Sequence, residues 1–261
     1  MDHQISFYIF KKIKVMISKF ELLSVINKYY LNGINEAVKW DIKDKSITIK
    51  FTSPTKEMIG EVTHNKFELP DSTVGISNTT QLLKLISTTG GEVMLNYIKN
   101  NKTFSKLIIS DNQFTINYTL ADILTIPKSG NYTGPEEYNL ETELNTEIIN
   151  ALIKAKSSLP ESTTVMLTPM LSLDGEFQLE LMFGGDIEYA NKISYFISNF
   201  TQKDLPSQFT LGFGSDLLKE ILNVNKEATK AKMSINLEGL MKLEFETEKI
   251  KSTYYIVKKD I

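Results

Sequence analysis

The chain has 261 residues, 41% of them hydrophobic and 23% charged, with a formal net charge of −3, which is room for two medium domains of ordinary globular composition. All 29 basic residues are lysine and there is no cysteine, so bidentate arginine readout of bases, disulfides, thiolate metal sites and cysteine nucleophiles are all excluded. An anionic chain of this kind can hold a polyanion only where its positive charge is sorted onto one surface.

Residues 1–15 are read as an N-terminal extension, either a true one or the product of an upstream start codon. Its apolar stretch at Phe7 to Phe10 is too short for a membrane span, and the lysines follow it instead of preceding it. No membrane is expected, and the reading is a soluble, cytoplasmic protein.

The first helix is expected over Ser18 to Tyr30, opened by the capping-box pattern Ser18-Lys19-Phe20-Glu21. At about 100° per residue, Leu22, Leu23, Ile26, Tyr29 and Tyr30 share one face, with Ser24 and Lys28 opposite. Strands follow at Ser46 to Phe51 and, after a second helix at Asn78 to Thr88, at Glu92 to Ile98, Phe104 to Ile109 and Gln113 to Thr119. That second helix opens with Asn78-Thr79-Thr80-Gln81 and turns Lys84 and Thr88 away from Leu82, Leu83, Leu85 and Ile86.

The segment from Pro127 to Pro135 has two prolines, two glycines and no apolar periodicity. It reads as a connector within 123–137, between a first domain at 16–122 and a second at 138–261. In the second domain a helix is expected from Asn145 to Ser157, with Asn150 and Lys154 opposite its apolar face. Another runs from Ser215 to about Lys226, with Lys219, Asn223 and Lys226 opposite. Strands are expected at Thr163 to Leu167, Phe177 to Phe183, Lys192 to Ile197, Gln208 to Gly212, Lys232 to Leu237, Met241 to Glu246 and Ser252 to Val257. Helix starts roughly 60–70 residues apart suggest an internal repeat. The fold class is α+β: two similar domains, each with two short helices packed on antiparallel sheet.

Each helix therefore presents lysine with a small polar partner away from its sheet. An ordinary solvated face is one explanation. The other is diffuse contact with phosphates, which is salt-sensitive and indifferent to sequence. No Walker loop, His-Glu-x-x-His or Gly-x-Ser-x-Gly motif is present. His3 lies in the extension, and His64, in a Thr-His-Asn context, reads as a solvated turn residue. No catalytic residue, metal or cofactor is expected.

The C-terminal run Gly239-Leu240-Met241-Lys242-Leu243-Glu244-Phe245-Glu246 and the following Ser252-Thr253-Tyr254-Tyr255-Ile256-Val257-Lys258-Lys259 resemble the last strands of DNA sliding clamps of the proliferating-cell-nuclear-antigen type. Leu124-Thr125-Ile126-Pro127 is similar to the start of that family's interdomain connector. In overall character the chain is most similar to T4-type phage clamps, over roughly Met16 to Lys259. It departs at Lys258, where many cellular clamps carry proline. Gln4 to Phe10 has part of the peptide pattern used by clamp partners, without the second terminal aromatic.

The resemblance implies a pseudo-sixfold homotrimeric ring around double-stranded DNA, with helices lining the hole. It implies a polymerase processivity factor that performs no catalysis and is loaded by a separate clamp loader ATPase. Late-transcription factors would join the partner set if the phage likeness holds. The implied partner-peptide pocket is Leu124, Ile126, Pro127, Tyr255 and Ile256. The implied subunit interface pairs the edge at Phe114, Ile116 and Tyr118 with the edge at Ile193, Tyr195 and Ile197 of the next subunit. For the tyrosine pair, one ring can pack in the strand while the other faces the pocket. The competing reading is a β-rich viral structural or scaffold protein, which does not account for four lysine-faced helices.

Overall fold

The computed structural model describes residues 15–100, 103–172, 174–185, 191–206 and 208–260. His3 and Gln4 to Phe10 lie outside them. The first half runs β1 (Val15–Ser18), α1 (Lys19–Tyr30), β2 (Val38–Lys43), β3 (Ser46–Thr52), β4 (Met58–His64), β5 (Ser72–Ile76), α2 (Thr79–Ser87), β6 (Glu92–Asn100), β7 (Thr103–Ser110) and β8 (Thr115–Thr119). The second runs β9 (Leu140–Glu143), α3 (Thr146–Ser158), β10 (Thr164–Leu171), β11 (Phe177–Phe183), β12 (Ile193–Ile197), β13 (Thr201–Gln202), β14 (Leu211–Gly214), α4 (Ser215–Val224), β15 (Lys230–Asn236), β16 (Leu240–Glu246) and β17 (Ile250–Val257). Leaving aside a short 3-10 turn at Leu31–Gly33 in the first half and the two-residue β13 in the second, the halves have the same order of elements.

They also have the same pairing. The order β1-β6-β7-β8 in the first half is matched by β9-β15-β16-β17 in the second, and β5-β2-β3-β4 is matched by β14-β10-β11-β12. All pairings between neighbours are antiparallel. The halves fuse where β17 pairs with β4 over seven positions, from Ile250 opposite His64 to Ile256 opposite Met58. This junction makes one nine-stranded sheet, flanked by two four-stranded sheets.

Alternation dictates which side is buried. In β3, Ile47, Ile49 and Phe51 point into the core while Thr48, Lys50 and Thr52 point out; β16 does the same with Met241, Leu243 and Phe245. The helices cover the inner side and touch one another in the order α2, α1, α4, α3. Only glycine fits at position 60, because a Cβ there would collide with the Phe51 ring crossing β4.

Several expectations need correction. The capping box on α1 does not form: Ser18 makes no side-chain cap, and Glu21 is held by His64 and Lys249 instead. On α2 and α3 the Asn78 and Asn145 side chains do cap, each accepting a backbone N–H at 2.8 Å. Val15, placed in the extension, is a buried residue of β1. β1, β2, β4, β5, β9 and β13 were not anticipated, and the strand expected at Gln208 to Gly212 lies at Leu211–Gly214. His64 is fully buried, not solvated.

Candidate nucleic-acid interface

The inner row of helices carries the candidate DNA-facing residues. Lys84 on α2 and Thr88 just after it, Asn150 and Lys154 on α3, and Asn223 on α4 are exposed, as is Lys226 just after α4; Lys219 is half-buried. Among the described residues none of these four lysines has a carboxylate partner. On the outer face of the nine-stranded sheet, by contrast, lysines alternate with acids and pair with them: Lys232 with Glu141 at 2.7 Å, Lys242 with Glu244 at 2.7 Å, Lys50 with Glu61 at 3.3 Å. A paired lysine offers little field to a distant phosphate, so the free ammonium groups of the helix row count for more than the net charge suggests.

Lys28 does not belong to this set. It is 1% exposed, and its Nζ donates to Glu227 Oε1 at 2.6 Å and to the Val224 carbonyl at 2.8 Å. Ser24 is half-buried and donates to the same Glu227 oxygen at 2.9 Å. The helical wheel placed Lys28 opposite Leu22 and Ile26 correctly with respect to the sheet, but α4 packs against that side of α1. No pattern within α1 signals a neighbour about 200 positions away. The buried Lys156 near the end of α3 behaves likewise, donating to the Pro160 carbonyl at 2.8 Å and pairing with Asp216 at 3.1 Å.

The connector crosses the outer face. Its start is pinned by the Ala121 N–H donating to the Gly75 carbonyl at 2.9 Å. Leu124 is almost wholly exposed, Pro127 is exposed, and Ile126 is buried against Gly75. Further on, Tyr132 meets the Tyr255 ring edge-on with centroids 4.8 Å apart, and the Tyr255 hydroxyl donates to the Thr133 carbonyl at 3.3 Å. Gly134 has a positive φ of 74°, and a Cβ there would stand 2.7 Å from the Tyr138 hydroxyl and 2.8 Å from Tyr255. Lys242 lies 5.8 Å from the Tyr138 ring and 5.9 Å from that of Tyr255.

The alternation of β17 separates the paired tyrosines. Tyr255 faces outward, half-buried, under the connector; Tyr254 is fully buried. Ile256 points inward with Tyr254 and is 0% exposed, so it is a core residue and not part of an outer pocket. Sequence reasoning missed Tyr132, Tyr138 and Lys242, although the tyrosines and the turn glycine of the connector were visible.

The two expected interface edges are β8 and β12, each a terminal strand of its sheet, as β1, β14, β13 and β5 also are. Phe114, just before β8, is 46% exposed, and Ile116, Ile193 and Tyr195 are half-buried. Tyr118 and Ile197, each 3% exposed, already belong to the core of the chain. The Tyr118 hydroxyl donates to the Asn78 carbonyl at 3.1 Å. Phe196, on the opposite side of β12, is 48% exposed and was not anticipated.

Among the described residues no group of three or more His, Cys, Asp or Glu is placed to hold a metal, and no helix is long and apolar enough to cross a membrane.

The architecture matches solved structures. The structure of the C-terminal region of FEN-1 bound to A. fulgidus PCNA superposes with a TM-score of 0.74 at 15% identity, covering 95% of this chain and 98% of that one. The chain has the fold of PCNA. The PCNA of Entamoeba histolytica gives 0.71 at 15% identity, over 95% and 98% of the two chains. That of Thermococcus kodakaraensis gives 0.71 at 11% identity, over 94% and 99%. No family model and no curated protein matches the sequence. The PCNA likeness spans both halves, the connector and all four helices, so the repeated topology is a property of the whole fold and not of one domain.

Proposed function

We propose that this protein is a DNA sliding clamp: three copies join head to tail, the helix row lines the hole, and duplex DNA passes through it. The observation that carries this reading is the internal repeat. In the topology, β8 corresponds to β17 and β12 to β4. Within the chain β17 and β4 are paired; β8 and β12 each have an unpaired edge. Repeating the β17–β4 pairing between copies, β8 on the next copy's β12, gives a heterologous junction that hides both edges and closes when the rotation divides the circle. Phe114, Ile116, Ile193 and Tyr195 would complete their burial there.

The DNA-facing residues are then Ser24, Lys84, Thr88, Asn150, Lys154, Lys219, Asn223 and Lys226, contacting phosphates without reading sequence. The clamp tethers a DNA polymerase and raises its effective concentration at the template; it catalyses no reaction itself. The A. fulgidus protein was solved with the C-terminal region of FEN-1 bound, and a comparable partner segment would dock here beside the connector, on Leu124, Pro127 and the Tyr255 ring. A clamp loader ATPase, supplied separately, would open the ring, and late-transcription factors would be further partners of a phage clamp. The domains proposed are 16–122 and 138–261, with Val15 added to the first.

Sedimentation at micromolar concentration tests the ring, with a mass of three chains expected and a persistent monomer contradicting it. Retention on nicked circular DNA, followed by loss when the circle is linearised, tests encirclement. Equal retention on both forms would mean surface attraction without a topological link.

A further inference from the structure

The four helices do not contribute equally to the inner wall. α2 offers the free ammonium of Lys84, α3 that of Lys154, and α4 with the residues just after it those of Lys219 and Lys226. α1 offers none. Its Lys19 Nζ donates to the carbonyls of Ser87 at 2.8 Å and Thr89 at 2.7 Å, and its Lys28 is bound to Glu227 and Val224. What α1 shows to solvent is Phe20, 73% exposed, with Leu23, Ser24 and Asn27, along a groove of about 720 Å³ shared with α3 and α4.

The Lys28–Glu227 pair sits at the rim of this groove. The lysine side chain is 2% exposed and the glutamate 39%. Burial works against the Lys28 ammonium and Glu227 works for it; burial alone would raise the Glu227 carboxyl, but Lys28 holds it below the usual range. As an ammonium–carboxylate pair at 2.6 Å, the two sum to zero charge. An ammonium held in such a pair does not neutralise a phosphate, and so releases none of the counterions condensed on the DNA.

Resting on the clamp reading above, we infer that Glu227 sets how strongly the inner wall holds duplex DNA, by keeping the Lys28 ammonium folded against α4 and away from the phosphates. Glu227 follows α4 by three residues and belongs to the second half; Lys28 belongs to the first. The restraint therefore lies at the seam between the halves, in the middle of the helix row. It leaves the phosphate contacts to α2 on one side and to α3 and α4 on the other.

The test is titration of the full chain with a short blunt-ended duplex at several salt concentrations, followed by NMR. Glu227→Gln should free Lys28 and steepen the slope of log K against log salt by about 0.9, the value for one added phosphate contact. The double variant Lys28→Met, Glu227→Gln removes both charges and should return the slope to that of the unaltered protein. An unchanged slope in Glu227→Gln, or a double variant shallower than the unaltered protein, overturns the inference. Should Glu227→Gln fail to fold, Glu227→Ala at this part-exposed position (39%) decides in its place: the same steepening is expected, and an unchanged slope overturns the inference. Lys84→Gln separates this inference from the reading beneath it. If Lys84→Gln lowers the slope and Glu227→Gln leaves it unchanged, only the role of Glu227 falls; if neither moves it, the duplex-binding reading falls too.

Discussion

The closed junction between β17 and β4 and the open edges of β8 and β12 are the same topological feature, built to different strengths. The closed junction uses strands of eight and seven residues. Beneath it Tyr254 lies edge-on to Phe51 and Phe245, with centroids 6.2 and 6.1 Å away. The Tyr254 hydroxyl donates to the Lys28 carbonyl at 2.9 Å and accepts from Asn225 Nδ2 at 3.1 Å, and Ser252 donates to Asn225 Oδ1 at 2.8 Å. These bonds tie both halves' helices to the shared sheet. The open edges have five residues each and a largely apolar inner side with two hydroxyls, those of Tyr118, occupied by the α2 N-cap, and of half-buried Tyr195. A seam without an extended buried polar network can part and rejoin with few unsatisfied groups left behind, which suits the opening of the proposed ring.

The largest expected effect comes from charging the open seam. Ile116→Asp puts a carboxylate where the next subunit should seal the strand edge. An unpaired buried charge costs about 3–5 kcal/mol, so trimer formation should weaken by a hundredfold or more. Sedimentation should show monomers whose circular dichroism is unchanged, since β17 and β4 remain joined. A full trimer in this variant would mean that the β8 edge lies outside the interface.

At the closed junction a smaller effect is expected. Tyr254→Phe keeps the ring and its packing but strands one Asn225 N–H and the Lys28 carbonyl, at a cost of about 1–3 kcal/mol. The thermal midpoint should fall by several degrees while the trimer mass stays the same. Were the two seams equivalent, the same change would loosen the ring as well.

Much of this was legible from the sequence, because long periodic segments report their own geometry. All four helices fall where their apolar spacing put them, and Phe177–Phe183, which alternates until Met182, has the boundaries expected of it. The strands that escaped notice carry weak local signals: β4 contains Gly60 and a histidine, and β9 has four residues. Among them β4 makes the internal junction with β17 on which the proposed junction between copies is patterned. The fate of Lys28 was equally hidden, because it depends on Glu227 and on α4, and nothing local distinguishes it from Lys84. Parity along a strand was readable in principle: it separates Tyr254 from Tyr255 and assigns Ile256 to the core, once the register of β17 is fixed by its neighbours.

The smallest expected effect is a pH dependence confined to the closed seam. His64, opposite Ile250 at the end of the junction, is fully buried; burial pulls its pKa below the ordinary 6.5, although Glu21 works in the opposite direction. For Glu21, burial would raise the carboxyl, but hydrogen bonds from Lys249, at 2.7 Å, and from His64 hold it below the ordinary 4.5. The unfolded chain therefore takes up protons before the folded one, first at the imidazole below about pH 6.5 and then at the carboxyl below about pH 4.5. Stability from both groups is present above these values and is lost as the pH falls. The thermal midpoint should thus decline between pH 7.5 and 5.5, and His64→Gln should flatten that decline. The inner side of the open seam, with Phe114, Ile116, Ile193 and Tyr195, has no group that titrates in this window, so the trimer mass should hold through it. A flat profile for the unaltered protein would require the folded imidazole to accept a proton as readily as the unfolded one. That is hard to reconcile with Nδ1, which already accepts the Lys66 N–H at 3.1 Å and would have to give up that bond to be protonated.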